Sequence, residues 1–147
     1  MPTPIREQVL AAFHTVIDTA LTATVERNRS REIPKTETSY VVILDGPQFK
    51  ASDETGIAFY TMTATVEGYS RASSDALVGP ALNTLYADVV TAAVADHTLG
   101  GLCIDVREGD LPDAYIDPES SQPTMAFSVD FEIDYFTKHG DPYTLGP

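Results

Sequence analysis

Strict alternation of apolar and polar residues near the C-terminus constrains this chain more than any other sequence feature. The apolar positions are Met125, Phe127, Val129, Phe131, Ile133 and Tyr135, and the polar ones are Thr124, Ser128, Asp130, Glu132 and Asp134. A period of two is typical of a strand that buries one face. A strand of about thirteen residues extends ~43 Å, whereas a compact chain of this length has a radius of gyration of only ~15 Å. The strand should therefore span its domain or project from it.

Helices and further strands precede this segment. Apolar residues recur at three- and four-residue steps over residues 5–21, which predicts an amphipathic helix with Thr3 at its N-cap and Pro4 at its first position. Residues 77–93 predict a second helix capped by Asp75, while residues 40–44, 57–69 and 102–106 predict strands. The order favours an α+β fold in which two helices pack on one face of a mostly antiparallel sheet of four to five strands.

Turn and loop residues separate these elements. Asp-Gly-Pro at residues 45–47 predicts a turn that opens a polar loop ending at residue 56. Residues 109–123 contain three prolines and predict a long loop, a kind of segment that is usually functional or mobile. From about residue 138 the sequence predicts a flexible Gly/Pro tail. The 147 residues are expected to form a single domain.

Composition limits the classes of function. The chain has 9 Lys and Arg residues against 22 Asp and Glu residues, a formal net charge of -13, so nonspecific binding to nucleic acid is not expected as its main activity. Its single cysteine excludes a disulfide framework. The longest aliphatic run, residues 41–44, is far shorter than the ~20 residues that cross a bilayer. Residues 1–7 lack the pattern of a signal peptide, so we expect an intracellular product without a membrane segment.

Known catalytic and metal-binding patterns fit the sequence poorly. His14, His97 and His139 lack zinc-site spacing, and no glycine-rich phosphate loop is present. Cys103 has Arg107 as its only basic neighbour, which predicts a partly covered small residue rather than a reactive thiolate. We therefore expect no enzyme activity, no cofactor and no metal. A small enzyme or ligand-binding domain that uses the acidic face of the last strand is kept as an alternative.

Two clusters of opposite charge remain. The basic cluster consists of Arg27, Arg29, Arg31 and Lys35, and the acidic row consists of Asp130, Glu132 and Asp134. Alternate residues of an extended chain point the same way, and the carboxylates of the row would lie ~7 Å apart along their strand. The row could be the solvated face of a one-sided sheet, and the two clusters could neutralise each other within one chain. They could also join successive copies head to tail, a heterologous contact that can close into a ring.

Four segments carry a family resemblance that covers nearly all of the chain. They are the helix of residues 5–21, YTMTATVEGY at residues 60–69, DHTLGGL at residues 96–102, and FEIDY at residues 131–135 followed by KHGDP at residues 138–142. In these segments the chain resembles the tail terminators of long-tailed phages and gene transfer agents, the minor tail protein U-like or tail completion proteins. The resemblance implies two helices on a mostly antiparallel sheet.

The function that this resemblance implies is structural. A ring, usually of six subunits, caps the tail tube, stops its polymerisation and presents the interface to the head-tail connector or stopper protein. The protein would be made in the host cytoplasm and lie in the virion at the neck end of the tail, with no cofactor and no catalysis. A head-tail stopper, or another neck or tail-tube component, is the alternative within this class.

The net negative charge of the chain has a consequence for DNA that passes through such a ring. Six copies at -13 each would repel the phosphates of DNA that passes through the lumen without specific binding. We expect the acidic row to face the lumen or the seam between subunits. Loops on a rigid scaffold often carry recognition, so we expect residues 45–56 and 109–123 to face the tube and the connector. The partner-facing residues predicted there are Gln48, Lys50, Asp110, Asp113 and Asp117.

Overall fold

The computed structural model describes residues 1–117 and 121–147, which form two helices and seven strands. The elements are α1 (Ile5–Ala20), β1 (Thr24–Arg27), β2 (Ser39–Glu54), β3 (Ile57–Arg71), α2 (Asp75–Val94), β4 (Asp105–Glu108), β5 (Asp113–Ile116), β6 (Thr124–Lys138) and β7 (Asp141–Leu145). The predicted α+β class is confirmed, but the predicted count of four to five strands is wrong. The additional strands have only four or five residues each, too few to display a period.

A single sheet holds the strands in the order β1-β2-β3-β6, and β4, β5 and β7 each pair with a different part of β6 beyond it. β1 runs parallel to β2, whereas β2 with β3 and β3 with β6 are antiparallel. β3 and β6 stay in register from Ile57 opposite Lys138 to Arg71 opposite Thr124. The long final strand predicted from alternation is confirmed, and β3 accompanies it along its full length.

Both helices pack on the face of the sheet that carries the alternating apolar residues. Phe13 of α1 lies against Phe131 of β6, with the ring centroids 5.6 Å apart. Leu85 and Val89 of α2 join the same buried cluster as Met62 of β3. α2 is also long and apolar enough to cross a membrane by length and composition alone, as core helices of soluble proteins can be. The apolar face of β6 thus forms the core, as its pattern predicted.

The helix starts differ by one residue from those predicted. Pro4 rather than Thr3 occupies the N-cap of α1, and Ser74 rather than Asp75 occupies that of α2. Neither N-cap is held by a side-chain hydrogen bond in the described part of the chain, so the interaction from which caps are predicted is not what fixes these starts. Pro80 lies inside α2.

The predicted turn at residues 45–47 is instead an irregularity within β2. The register against β3 shifts between Asp45 and Gln48, the mark of a β-bulge. A Cβ atom at Gly46 would overlap the carbonyl oxygen of Thr63, so glycine lets the two backbones approach closely. The residues predicted to form a loop up to residue 56 therefore continue β2, and the chain reverses only at Thr55 and Gly56.

Two other segments predicted to be irregular contain strands. Residues 141–145 of the predicted tail form β7, which pairs with the end of β6. Residues 113–116 of the predicted long loop form β5, which pairs with the start of β6. Residues 118–120 of that loop lie outside the described residues. β6 recruits these short strands because it is longer than β4 and offers backbone partners on either side of it.

Candidate assembly surfaces

The face of the sheet opposite the helices is called the open face here, and the acidic row lies at its centre. Thr61, Thr63 and Thr65 of β3 stand opposite Asp134, Glu132 and Asp130 of β6 in the strand register. Thr61 Oγ1 donates a hydrogen bond to Asp134 Oδ1 at 2.8 Å, and Thr65 Oγ1 donates one to Asp130 Oδ1 at 2.7 Å. The row lies on the polar side of β6, as alternation predicted, and threonine hydroxyls hold two of its carboxylates.

Arg107 of β4 supplies the positive charge of this surface. Its guanidinium donates hydrogen bonds to Asp134 and, from Nη2, to Glu132 Oε2 at 3.1 Å, and Nη1 lies 3.3 Å from Asp105 Oδ2. Burial would raise the pKa of Asp134, but the hydrogen bonds from Arg107 and Thr61 outweigh it and lower that pKa. The row is thus neutralised in part within the chain, and by Arg107 rather than by the basic cluster.

The basic cluster is divided by the backbone. β1 ends at Arg27, and Asn28 follows with a φ of 52°, so the arginines do not alternate along one face. Arg27 binds Glu7 Oε1 of α1 and Asp45 Oδ2 of β2, each at 2.8 Å. The hydrogen bond from Arg27 lowers the pKa of Glu7. Arg27 therefore joins the first helix to the sheet.

Arg29 is also engaged within the chain. Its Nη1 donates to Glu26 Oε2 at 2.7 Å and to the Tyr40 hydroxyl at 3.0 Å, and its guanidinium carbon lies 5.4 Å from the centroid of the Tyr40 ring. Its other nitrogens donate to the backbone oxygens of Arg31 and Glu32 at 3.1 and 2.7 Å. The bonds to the backbone hold the segment after β1 folded back on itself. The ion pair with Glu26 balances the charge of Arg29.

Arg31 and Lys35 line a cleft of about 400 Å³ at one end of the open face, here called the basic cleft. Tyr115 and Asp117 line it as well, and Val42 and Ala126, both buried, form part of its surface. Both cations are exposed, and neither forms an ion pair with a described carboxylate. These two members of the basic cluster remain available to a partner.

Arg71 at the end of β3 holds one wall of the basic cleft. Its Nη1 donates to the backbone oxygens of Pro34 at 2.6 Å and Glu37 at 3.1 Å. Across the cleft surface, Tyr69 donates its hydroxyl hydrogen to Glu67 Oε2 at 2.6 Å. Burial, together with this bond, raises the pKa of Tyr69. Glu67 is thereby held by a neutral hydroxyl group and forms no ion pair with Arg31 or Lys35.

The predicted partner-facing residues are exposed, but three of them lie in strands. Gln48 and Lys50 belong to β2 and Asp113 begins β5, whereas Asp110 and Asp117 lie outside the strands. The Gln48 side-chain oxygen accepts hydrogen bonds from Arg6 Nη1 at 2.9 Å and from the Tyr135 hydroxyl at 2.7 Å. Lys50 Nζ lies 2.8 Å from Asp53 Oδ2. The expectation of loops at Gln48, Lys50 and Asp113 is therefore corrected.

Sequence analysis missed a hairpin arm formed by the distal halves of β2 and β3. Beyond Pro47, β2 pairs with β3 alone among the described strands, and Phe49 is 65% exposed. Its arm tip comprises Asp53, Glu54, Thr55 and Gly56. Gly56 has a φ of 83°, and Glu54 pairs with Ile57 across the turn. Gly56 was the available sign of this turn, because a positive φ at the second central residue of a turn favours glycine.

Cys103 is buried rather than partly covered. It is 7% exposed, and its Sγ lies 3.4 Å from the backbone oxygen of His97. Burial raises the pKa of the thiol to about 12, so it is protonated at neutral pH. Its position could not be predicted by alternation, because β4 begins only at Asp105. In the part of the chain that the structure describes, no group of three His, Cys, Asp or Glu side chains is placed to hold a metal ion.

No family model matches the chain, and no curated protein matches it. Among solved structures, the chain is similar to one chain of a "virion of native gene transfer agent (GTA) particle". The identity is 14%, the match covers 89% of this chain and 92% of that chain, and the TM-score is 0.37. A likeness at this level carries no argument about the function of the present chain.

Proposed function

We propose that this protein is a structural component of a phage-like virion, a tail terminator that forms a homohexameric ring. The ring caps the tail tube, stops its polymerisation and offers the interface to the head-tail connector. The proposal includes no enzyme activity and no cofactor. The segments that resemble the tail terminator family lie mainly in α1, β3, β6 and β7, and one of them, residues 96–102, follows α2.

The observation that carries the proposal is the acidic, helix-free centre of the open face. Glu132 is exposed, and Asp130 and Asp134 are partly exposed. The hydroxyl hydrogens of Thr61 and Thr65 are donated to carboxylates, which leaves these groups unable to bind phosphate. A surface that offers acceptors and negative charge repels a polyanion. Six such faces turned inward would line a channel through which DNA passes without being held.

Imaging of tail tubes tests this role. Purified protein is added to tubes assembled without it, and negative-stain images are compared with those of tubes alone. We expect rings at one end of each tube and no further tube growth. Rings that bind only a connector complex would indicate a head-tail stopper, and protein that binds neither tubes nor connectors would refute the proposal.

A matched pair of lysine substitutions tests the lumen assignment. Thr63→Lys adds a positive charge to the open face between Thr61 and Thr65, and Asn83→Lys adds one to the exposed side of α2. If the open face lines the lumen, T63K rings should retain DNA and slow its passage, whereas N83K rings should behave like the parent protein. Equal effects of the two substitutions would contradict this assignment.

A further inference from the structure

We infer that the basic cleft of one copy receives the acidic arm tip of the next copy. The inference rests on the self-assembly that the proposed function requires, and it names the contact that produces it. It replaces the simpler pairing of the basic cluster with the acidic row, because Arg27, Arg29 and the row already have partners within the chain.

The charge of the cleft stands out against that of the whole chain. Of the 9 basic residues, four line it, namely Arg29, Arg31, Lys35 and Arg71, against the three acidic residues Glu32, Glu67 and Asp117. Hydrogen bonds to Glu26 and to backbone oxygens hold Arg29 and Arg71 in place. Among the described residues Arg31, Lys35 and Arg71 form no ion pair, and of these three Arg31 and Lys35 are exposed. In a chain with a net charge of -13, such a site favours an anionic segment over most other surfaces.

The arm tip carries exposed acidic side chains at the end of the sheet, beside the turn between β6 and β7. Asp53 forms an ion pair with Lys50 at 2.8 Å and lies 3.2 Å from His139 Nε2, whereas the exposed Glu54 forms no ion pair within the described residues. The positive φ of Gly56 closes the hairpin in two residues. A cleft of about 400 Å³ lies within the usual size range of sites that enclose small ligands. It can accept the side chains of such a turn.

The positions of the two features make the contact intermolecular. The arm tip adjoins Ile57 and the cleft adjoins Arg71, at opposite ends of β3. At ~3.3 Å per residue these ends are roughly 46 Å apart, so a tip cannot enter its own cleft. Each copy therefore gives one tip and receives another, which is a heterologous contact that builds a ring if its rotation closes.

Side chains rather than the exposed edge of β2 provide this contact. Proteins protect edge strands from pairing with prolines, bulges and charged side chains. This edge of β2 has all three: Pro47, the register shifts on both sides of Gln48–Lys50, and the charge of Lys50. The arm is thus unsuited to extending the sheet of a neighbour. Arginine can bind a carboxylate with two parallel hydrogen bonds, so Arg31 with Glu54 is the expected central pair.

Charge reversal tests the contact in the full-length protein. Lys35→Glu and the double substitution Asn83→Glu with Thr84→Glu change the net charge equally at exposed positions, but only the first lies in the cleft. Sedimentation equilibrium at low salt should show self-association weakened at least about tenfold in R31E/K35E, less in K35E, and not weakened in N83E/T84E. Mixing R31E with E54R should restore association. Equal effects of K35E and N83E/T84E would overturn the inference.

Crosslinking gives an independent readout of the contact, and it can detect the contact even if the copies associate weakly. Lys35→Cys and Glu54→Cys preparations are mixed and treated with a short bismaleimide, and Lys35→Cys with Asp18→Cys serves as the control. We expect 35–54 heterodimers well above the control yield, and a yield equal to the control would refute the contact. Tube-end rings without this crosslink would refute the contact alone. The crosslink without tube capping would refute the terminator role alone.

Discussion

Replacing Arg107 by methionine should destabilise the fold at neutral pH and do so much less in acid. Arg107 is the cation at the centre of three carboxylates, and its Nη2 lies 3.1 Å from Glu132. Methionine keeps an unbranched apolar side chain at this position but removes the charge. Asp105, Glu132 and Asp134 then face one another without a positive partner.

The size of the effect follows from the exposure of these groups. The exposed fractions of the side chains are 42% for Arg107, 37% for Asp105, 49% for Glu132 and 28% for Asp134. Exposed ion pairs contribute ~0.2–1 kcal/mol each, so the pairs with Asp105 and Glu132 belong near the lower limit and that with Asp134 near the upper. With the repulsion that remains, we expect a loss of about 1–2 kcal/mol in the free energy of unfolding at pH 7.

The direction of the pH dependence follows from Asp134. Its pKa lies below the ordinary value of 3.8 because the hydrogen bonds from Arg107 and Thr61 outweigh its burial. A carboxyl group with a lowered pKa in the folded state contributes its full stability above the unfolded pKa, and this contribution is lost as the pH falls through the folded pKa. The difference between R107M and the parent should therefore be complete above about pH 5 and should shrink below about pH 4.

Urea unfolding at pH 7, 5 and 3, followed by circular dichroism, measures the effect. Arg31→Met is the matched control, since Arg31 forms no ion pair with a carboxylate in the described ranges. It should change the free energy of unfolding by no more than about 0.5 kcal/mol. A loss in R107M that is as large at pH 3 as at pH 7, or that is matched by R31M, would refute this account of the acidic row.

Three further predictions concern packing and reactivity. Gly68→Ala should destabilise by about 1–3 kcal/mol in thermal or urea unfolding, because its Cβ would overlap the ring of Phe127. A G68A protein as stable as the parent would contradict this close packing of the strand against Phe127. The Cys103 thiol should resist a disulfide exchange reagent at pH 8 and react upon unfolding, whereas fast labelling of the folded protein would show that its burial is wrongly assigned. Phe131→Ala should cost about 3–5 kcal/mol by the same unfolding assays, and a loss below about 1 kcal/mol would place this ring outside the core.

Predictions from periodicity succeeded where one face of an element is buried along its whole length. The alternation in β6 directly reflects the burial of Phe127, Phe131 and Ile133 beneath the helices. The same pattern placed the acidic row on the opposite face. Helices and strands could be told apart in the same way, because an element with one buried and one solvated face repeats its apolar residues with the period of that element.

Local residue types were insufficient where the backbone depends on distant partners. Gly46 indicated a turn but allows close approach to β3, which only the pairing of the two strands could decide. β5 and β7 exist because β6 provides backbone partners on either side of β4. Segments of four or five residues are too short for the alternation of apolar and polar residues to predict a strand.

The candidate assembly surfaces could likewise be predicted from the sequence only in part. The sequence by itself determined an α+β chain with one buried face of a long strand, an acidic row on the other face, and a concentration of basic residues before β2. Only the tertiary structure decided which charges remain available: β4 brings Arg107 to the acidic row, and Asn28 separates Arg27 from Arg31. The physical reason is that an ion pair depends on a distance of a few ångströms, and residues far apart in sequence reach that distance only through the register of the sheet.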